Sequence, residues 1–151
     1  MNIPLYNQSG YPDPTPRDAL RRLGEPEGTY RLVIPGKLPG LNEYVSANRL
    51  MPKAGARMKR NTEVDLVKII KSKLRGVKIS KPVYITYIWY ENNKRRDKDN
   101  ISFAKKFIQD ALVKAGTLEG DGWKHITGFE DRFAVDPGFA RVEVIITVEG
   151  D

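Results

Sequence analysis

The chain has 151 residues, enough for one domain with a substantial core. Its 26 lysines and arginines against 19 aspartates and glutamates leave a formal net charge of +7 and a pI near 9.6, a balance that favours nucleic acid or an anionic surface as partner. With no cysteine and one histidine, disulfides, thiolate catalysis, Cys-ligated zinc and multi-histidine metal sites are excluded.

The first residues, Met1 to Tyr6, lack the charged and apolar regions of a signal peptide, and no apolar run approaches membrane-spanning length. The expectation is a cytoplasmic protein with no membrane partner. The glycosylation patterns at Asn7-Gln8-Ser9 and Asn100-Ile101-Ser102 are then chance matches. Residues 1–27 carry prolines at 4, 12, 14, 16 and 26 among Gly, Asn and Asp, and read as an irregular N-terminal arm with one short helical turn over Asp18 to Leu23. Residues 28–151 read as the domain proper.

Tyr30 to Ile34 is a short strand closed by Pro35-Gly36. The segment from Gly36 to Arg60 has no convincing periodicity. It holds Lys37, Arg49, Lys53, Arg57, Lys59 and Arg60 against the lone acid Glu43, and is expected as a phosphate-contacting loop. Val64, Val67, Ile70 and Leu74 then recur at helical spacing between Asn61 and Arg75, with Gly76 as a stop and Lys68, Lys71 and Lys73 on a solvated face. From Pro82 to Glu91 both faces are apolar, which predicts a central strand or a subunit contact.

A second helix is predicted from Asn100 to Ala115. Ile101, Ala104, Phe107, Ile108, Ala111, Leu112 and Ala115 form its buried stripe, Asp99 or Asn100 its cap, and Gly116 its end. Trp123 to Val135 is a weaker strand region. Asp136-Pro137-Gly138 has the residues of a type II turn. It leads into a half-buried strand in which Ala140, Val142, Val144, Ile146 and Val148 alternate with Arg141, Glu143, Ile145 and Thr147. This order predicts an α+β fold, a mixed β-sheet packed with two main helices, without internal repeats.

Three aspartates stand out within this basic chain: Asp97 and Asp99 in Arg95-Arg96-Asp97-Lys98-Asp99-Asn100, and Asp121 in Glu119-Gly120-Asp121-Gly122-Trp123. Carboxylates among cations repel phosphate unless a divalent cation lies between them and a phosphodiester. If the backbone is extended, Asp97 and Asp99 project the same way and offer the hard oxygens that Mg²⁺ takes. The bland alternative has Asp99 capping the helix and Asp97 paired with Arg95 or Arg96. Reach limits Asp121: a helix from Asn100 to Ala115 runs about 24 Å, and residues 116–121 return at most about 20 Å. Asp121 meets Asp99 only if the loop folds straight back, the helix is shorter, or a second subunit completes the site.

Arg95-Arg96-Asp97-Lys98-Asp99-Asn100, then Asp110-Ala111-Leu112-Val113-Lys114-Ala115-Gly116, then Asp121, resembles the RusA family of crossover junction endodeoxyribonucleases. The strong part covers residues 94–126. Weaker similarity extends to Pro39-Gly40-Leu41-Asn42-Glu43-Tyr44 and to the closing hairpin, and residues 1–27 lie outside it. The resemblance implies a homodimeric, Mg²⁺-dependent resolvase of Holliday junctions, with Mn²⁺ as substitute, of a kind often encoded by phages or prophages. It places Asp97, Asp99 and Asp121 on the family's catalytic, metal-binding aspartates. The stretch from Asp99 to Asp110 is longer than the family pattern, and Phe103 stands where the catalytic lysine normally follows. Counting back from Asp110 puts that lysine at Lys106, with Lys105 as competitor; a solvated Lys106 paired with Asp110 is the alternative.

The implied chemistry is metal-assisted phosphodiester hydrolysis on DNA, with Lys94, Arg95, Arg96, Asn42, Arg57, Lys59 and Arg60 as backbone contacts. His125 reads as structural rather than as a general base. Trp123 and the aromatics of residues 84–90 can stack on bases or pack the core. Two other classes stay open. One is a basic DNA-binding protein without catalysis, indifferent to Mg²⁺. The other is an Asp-X-Asp nucleotide-sugar transferase, disfavoured by the basic bias and the lack of a nucleotide-binding βαβ unit.

Overall fold

A computed structural model describes residues 28–149, so the predicted arm and its helical turn lie outside the described residues. The chain is α+β, as expected. Strands β1 (Thr29–Pro35), β2 (Val83–Glu91), β3 (Ile126–Val135) and β4 (Arg141–Val148) form one mixed sheet in the order β1-β4-β2-β3. β4 runs antiparallel to β1 and β2, whereas β3 runs parallel to β2. The helices are α1 (Leu41–Leu50), α2 (Ala54–Lys73), α3 (Lys98–Ser102) and α4 (Lys105–Lys114). Parallel neighbours need a crossover between them, and α3 with α4 supply it between β2 and β3.

Alternation along the strands sends Leu32, Ile34, Val83, Ile85, Tyr87, Trp89, Val142, Val144 and Ile146 to one face. There they pack against Leu66 and Ile70 of α2 and against Ile101, Ala104, Phe107, Ile108, Ala111 and Leu112. Ile88, Tyr90 and Ile145 form a smaller buried cluster on the other face. The central position expected for β2 follows. β4, expected to be half-buried, is buried on both faces because it lies between β1 and β2. Its polar positions are internally paired. Arg141 donates to Asp136 at 2.6 Å and to Glu143 at 2.8 Å, Glu143 also binds Arg31, and the Arg141 guanidinium lies 3.7 Å from the Tyr90 ring centroid. Buried charges persist when paired in this way.

Three other expectations are corrected. The stretch from Gly36 to Arg60 is not a loop: it contains α1 and the first two turns of α2. α1 has no fully buried residue, so it lacks the apolar stripe on which periodicity depends. In α2 and at its end the predicted stripe holds at Val67, Ile70 and Leu74, joined by buried Leu66 and Glu63, and only Val64 is exposed. The predicted second helix is broken at Phe103-Ala104 into α3 and α4, although its predicted stripe from Ile101 to Leu112 is buried. Gly116 ends α4 as predicted, at φ +82°, with Gly116 N–H bonded to Val113 O and Thr117 N–H to Leu112 O, both at 3.0 Å. The turn after β3 is present, but Gly138 lacks the positive φ of type II. Instead Asp136 Oδ1 accepts from Gly138 N–H at 3.1 Å and Phe139 N–H at 3.2 Å.

Candidate functional site at the end of the central strand

β2 ends at Glu91, a carboxylate 7% exposed. Arg96 turns back onto it, donating from Nε and Nη2 to its two oxygens at 2.8 Å each. The same guanidinium donates to Leu38 O at 3.1 Å and lies 3.6 Å from Glu43. The bonds to Glu91 raise the Arg96 pKa against the opposing effect of burial. Arg96 thereby ties the end of β2 to the segment that enters α1, and its donors face inward rather than toward a phosphate.

Asp97 is the N-cap residue of α3 with φ −70° and ψ 155°, yet its carboxylate makes no capping hydrogen bond. Asp99 already lies inside α3, so the pair straddles a helix start and the extended-strand alternation does not apply. Both are exposed, and Asp99 Oδ1 accepts only the neighbouring Asn100 N–H, at 2.9 Å, among the described residues. Arg96 is taken by Glu91, and among the described residues Asp97 makes no ion pair with Arg95 or Arg96, so the bland pairing is not seen.

Asn100, like Asp99, is expected to cap its own helix, but both lie inside α3, whose N-cap is Asp97, and Asn100 serves another helix. Its Oδ1 accepts Asn42 N–H at 2.9 Å and so caps α1 from another element. Gly40, the N-cap position of α1, has no side chain to do this. A Cβ there would stand 2.5 Å from Asn100 Oδ1, so glycine is what lets the two segments meet. Tyr44 and Phe103 rings pack below at 5.4 Å between centroids. Pro39–Tyr44 and Arg95–Asn100, far apart in sequence, are thus one surface.

Asp121 is engaged by Lys106. Lys106 Nζ donates to Asp110 Oδ1 at 2.9 Å and to Asp121 Oδ2 at 3.2 Å, while Lys59 lies 3.3 Å from Asp110 and 3.7 Å from Glu63. The bond to Asp110 leads in raising the Lys106 pKa, helped by Asp121 and opposed by burial. Burial pushes Asp110 up, but the hydrogen bond from Lys106, with the nearby Lys59 ammonium, outweighs it and holds the carboxyl below its usual range. Lys105 binds Asp131 and lies 4.3 Å from the Phe129 ring centroid. The predicted helix is shortened by its break at Phe103-Ala104, and the loop after α4, which carries the Ile79–Leu118 bridge, returns Asp121 to Lys106 in the first turn of α4. Among the described residues no group of three or more carboxylates or imidazoles is placed to hold a metal ion.

Lys94 and Arg95 are exposed in the turn after β2. Arg57 and Arg60 are exposed on α2 rather than on a loop, with Lys59 between them. The His125 ring sits against Gly120, where a Cβ would come within 2.6 Å of its Cδ2. Tyr87, Trp89 and Tyr90 are core residues, whereas Trp123 is 99% exposed. No helix among the described residues is long and apolar enough to cross a membrane.

No family model and no curated relative matches the chain. Among solved structures, the periplasmic domain of Helicobacter pylori MotB (residues 97–256) is similar at 15% identity and a TM-score of 0.37, covering 83% of this chain and 84% of that one. A likeness of that size carries no argument about fold or function.

Proposed function

We propose that the protein is a RusA-like, structure-selective endodeoxyribonuclease that resolves four-way DNA junctions as a homodimer by Mg²⁺-dependent hydrolysis. The observation that carries this reading is the state of Asp97 and Asp99. Both carboxylates are exposed beside Lys94 and Arg95, and neither is used by the nearby arginines. The meeting of Pro39–Tyr44 with Arg95–Asn100 supports it further, because these are the separate segments that carry the resemblance.

The donor set fits a hard cation. Mg²⁺ is commonly held by one or two carboxylates, with waters and substrate oxygens filling its remaining positions. Asp97 and Asp99 would hold it, and Asp121 would supply the third carboxylate, from the same chain beside Lys106 or from a second copy. When bound, the cation supplies Lewis-acid polarisation of the phosphoryl oxygen and a more acidic water. Lys94 and Arg95 bind the flanking phosphates, and Arg96 positions the Asp97 turn through Glu91. Lys106, kept protonated by Asp110 and Asp121, is the cation proposed for transition-state charge, with Lys105 as the alternative. Twofold symmetry suits a junction, which needs paired cuts on opposing strands.

The second reading is a DNA-binding protein without catalysis, favoured by the engagement of Asp121 with Lys106. Mapping nicks on a four-way junction labelled on each strand, in Mg²⁺, Mn²⁺ and EDTA, separates the two. Paired, metal-dependent nicks on opposing strands are expected. Tight junction binding without a cut in any divalent metal would favour the second reading.

A further inference from the structure

Trp123 is the most exposed large apolar side chain among the described residues, at 99%, although tryptophan is highly buried on average. A slack loop does not account for this. His125 N–H and Ile126 N–H both bond Gly122 O at 3.0 Å, closing a tight turn around the tryptophan. On one side Asp121 is held by Lys106, and the His125 ring is seated on Gly120. On the other side the chain enters β3, an edge strand, where Phe129 is 49% exposed beside Lys105. A fixed scaffold therefore holds one indole ring in water, with a second exposed ring along the same edge.

Around these rings Lys106 faces Asp110 and Asp121, and Lys105 faces Asp131 while its ammonium also lies over one face of the Phe129 ring. Lys124, next to Trp123, is exposed and can meet a strand's phosphate, so what the indole adds is its ring face. Flat aromatic rings on a rigid support are what an unstacked base requires, since every base has a π-face to offer. We propose that Trp123, with Phe129 along the edge, is a stacking platform for unpaired bases of single-stranded or junction DNA. This rests on the DNA reading above and specifies which part of the substrate the surface takes: the open base, not the duplex backbone.

The chain has two tryptophans, and Trp89 is buried at 2% exposure with its Nε1–H on Asp131 at 2.9 Å, so solvent-sensitive emission reports Trp123. Titration with an oligothymidylate of about 15 nucleotides in EDTA should quench that emission, and a duplex of equal length should not. Trp123→Ala should weaken single-strand binding about 5- to 100-fold, while Trp123→Phe retains most of it. The slope of log affinity against log salt should be the same for wild type and Trp123→Ala, because no phosphate contact is lost. Junction and single-strand binding by electrophoresis, without quenching, would overturn the platform and leave the DNA reading standing. Binding of neither DNA would overturn both. A blue shift that grows with protein concentration, together with a doubled mass in the absence of DNA, would make Trp123 a self-association contact and overturn the platform.

Discussion

Asp97 and Asp99 lie in a run of cations without being neutralised by them, because Arg96 faces inward to Glu91. Replacing Arg96 by Met leaves a nearly buried carboxylate with its two best donors removed, and should cost about 2–3 kcal/mol of unfolding free energy in urea titrations. Arg96→Lys should recover only part of this, since one ammonium cannot reproduce the two-pronged bond. Lys106 tests the neighbouring cluster. The depressed Asp110 carboxyl contributes stability above its unfolded pKa, which is lost as pH falls through its lower folded value. The raised Lys106 amine contributes below its unfolded pKa, and that is lost as pH rises through its higher folded value. Lys106→Met should therefore be less stable than wild type near neutrality, by no more than about 1 kcal/mol because the ammonium is largely solvated. The difference should shrink at acid pH and again at strongly alkaline pH in denaturation series. The aspartate pair was legible in the sequence because its members are contiguous. The position of Asp121 was not, because spacing bounds how far a loop can reach and says nothing of which lysine holds it.

Elements were legible where burial is periodic. The β2 strand, the stripe of α3 and α4, and the glycine stop at Gly116 follow directly from residue pattern. α1 escaped because its N-terminus is held by Asn100 from another element and its faces are only half-buried. β4 looked half-solvated because alternation does not distinguish a charge in water from one inside an ion-pair chain. The contact between α1 and α3 gives a prediction at this scale. Asn100→Ala removes a cap and should cost about 1 kcal/mol. Gly40→Ala drives a methyl into Asn100 and should cost about 1–3 kcal/mol. The double variant should lose less than the sum of the two, because the smaller residue at 100 relieves the clash; additive losses in thermal or urea unfolding would show that the two residues do not touch.

At the scale of the molecule, a basic α+β domain places Asp97 and Asp99 just beyond the end of its central strand and Asp121, with Lys106 and Asp110, alongside α4. The net charge of +7 predicts junction binding that weakens steeply with salt, each phosphate contact adding about −0.9 to the slope of log affinity on log salt. Lys94→Ala and Arg95→Ala should each lower the magnitude of that slope by about one, which binding isotherms across salt concentrations can check. Asp97 is the most direct test of the whole account. Cleavage of a labelled four-way junction in Mg²⁺ should disappear in Asp97→Asn while junction affinity in EDTA is kept. Cleavage by the variant at the wild-type rate would contradict the role given to Asp97, and with it the placement of the metal site.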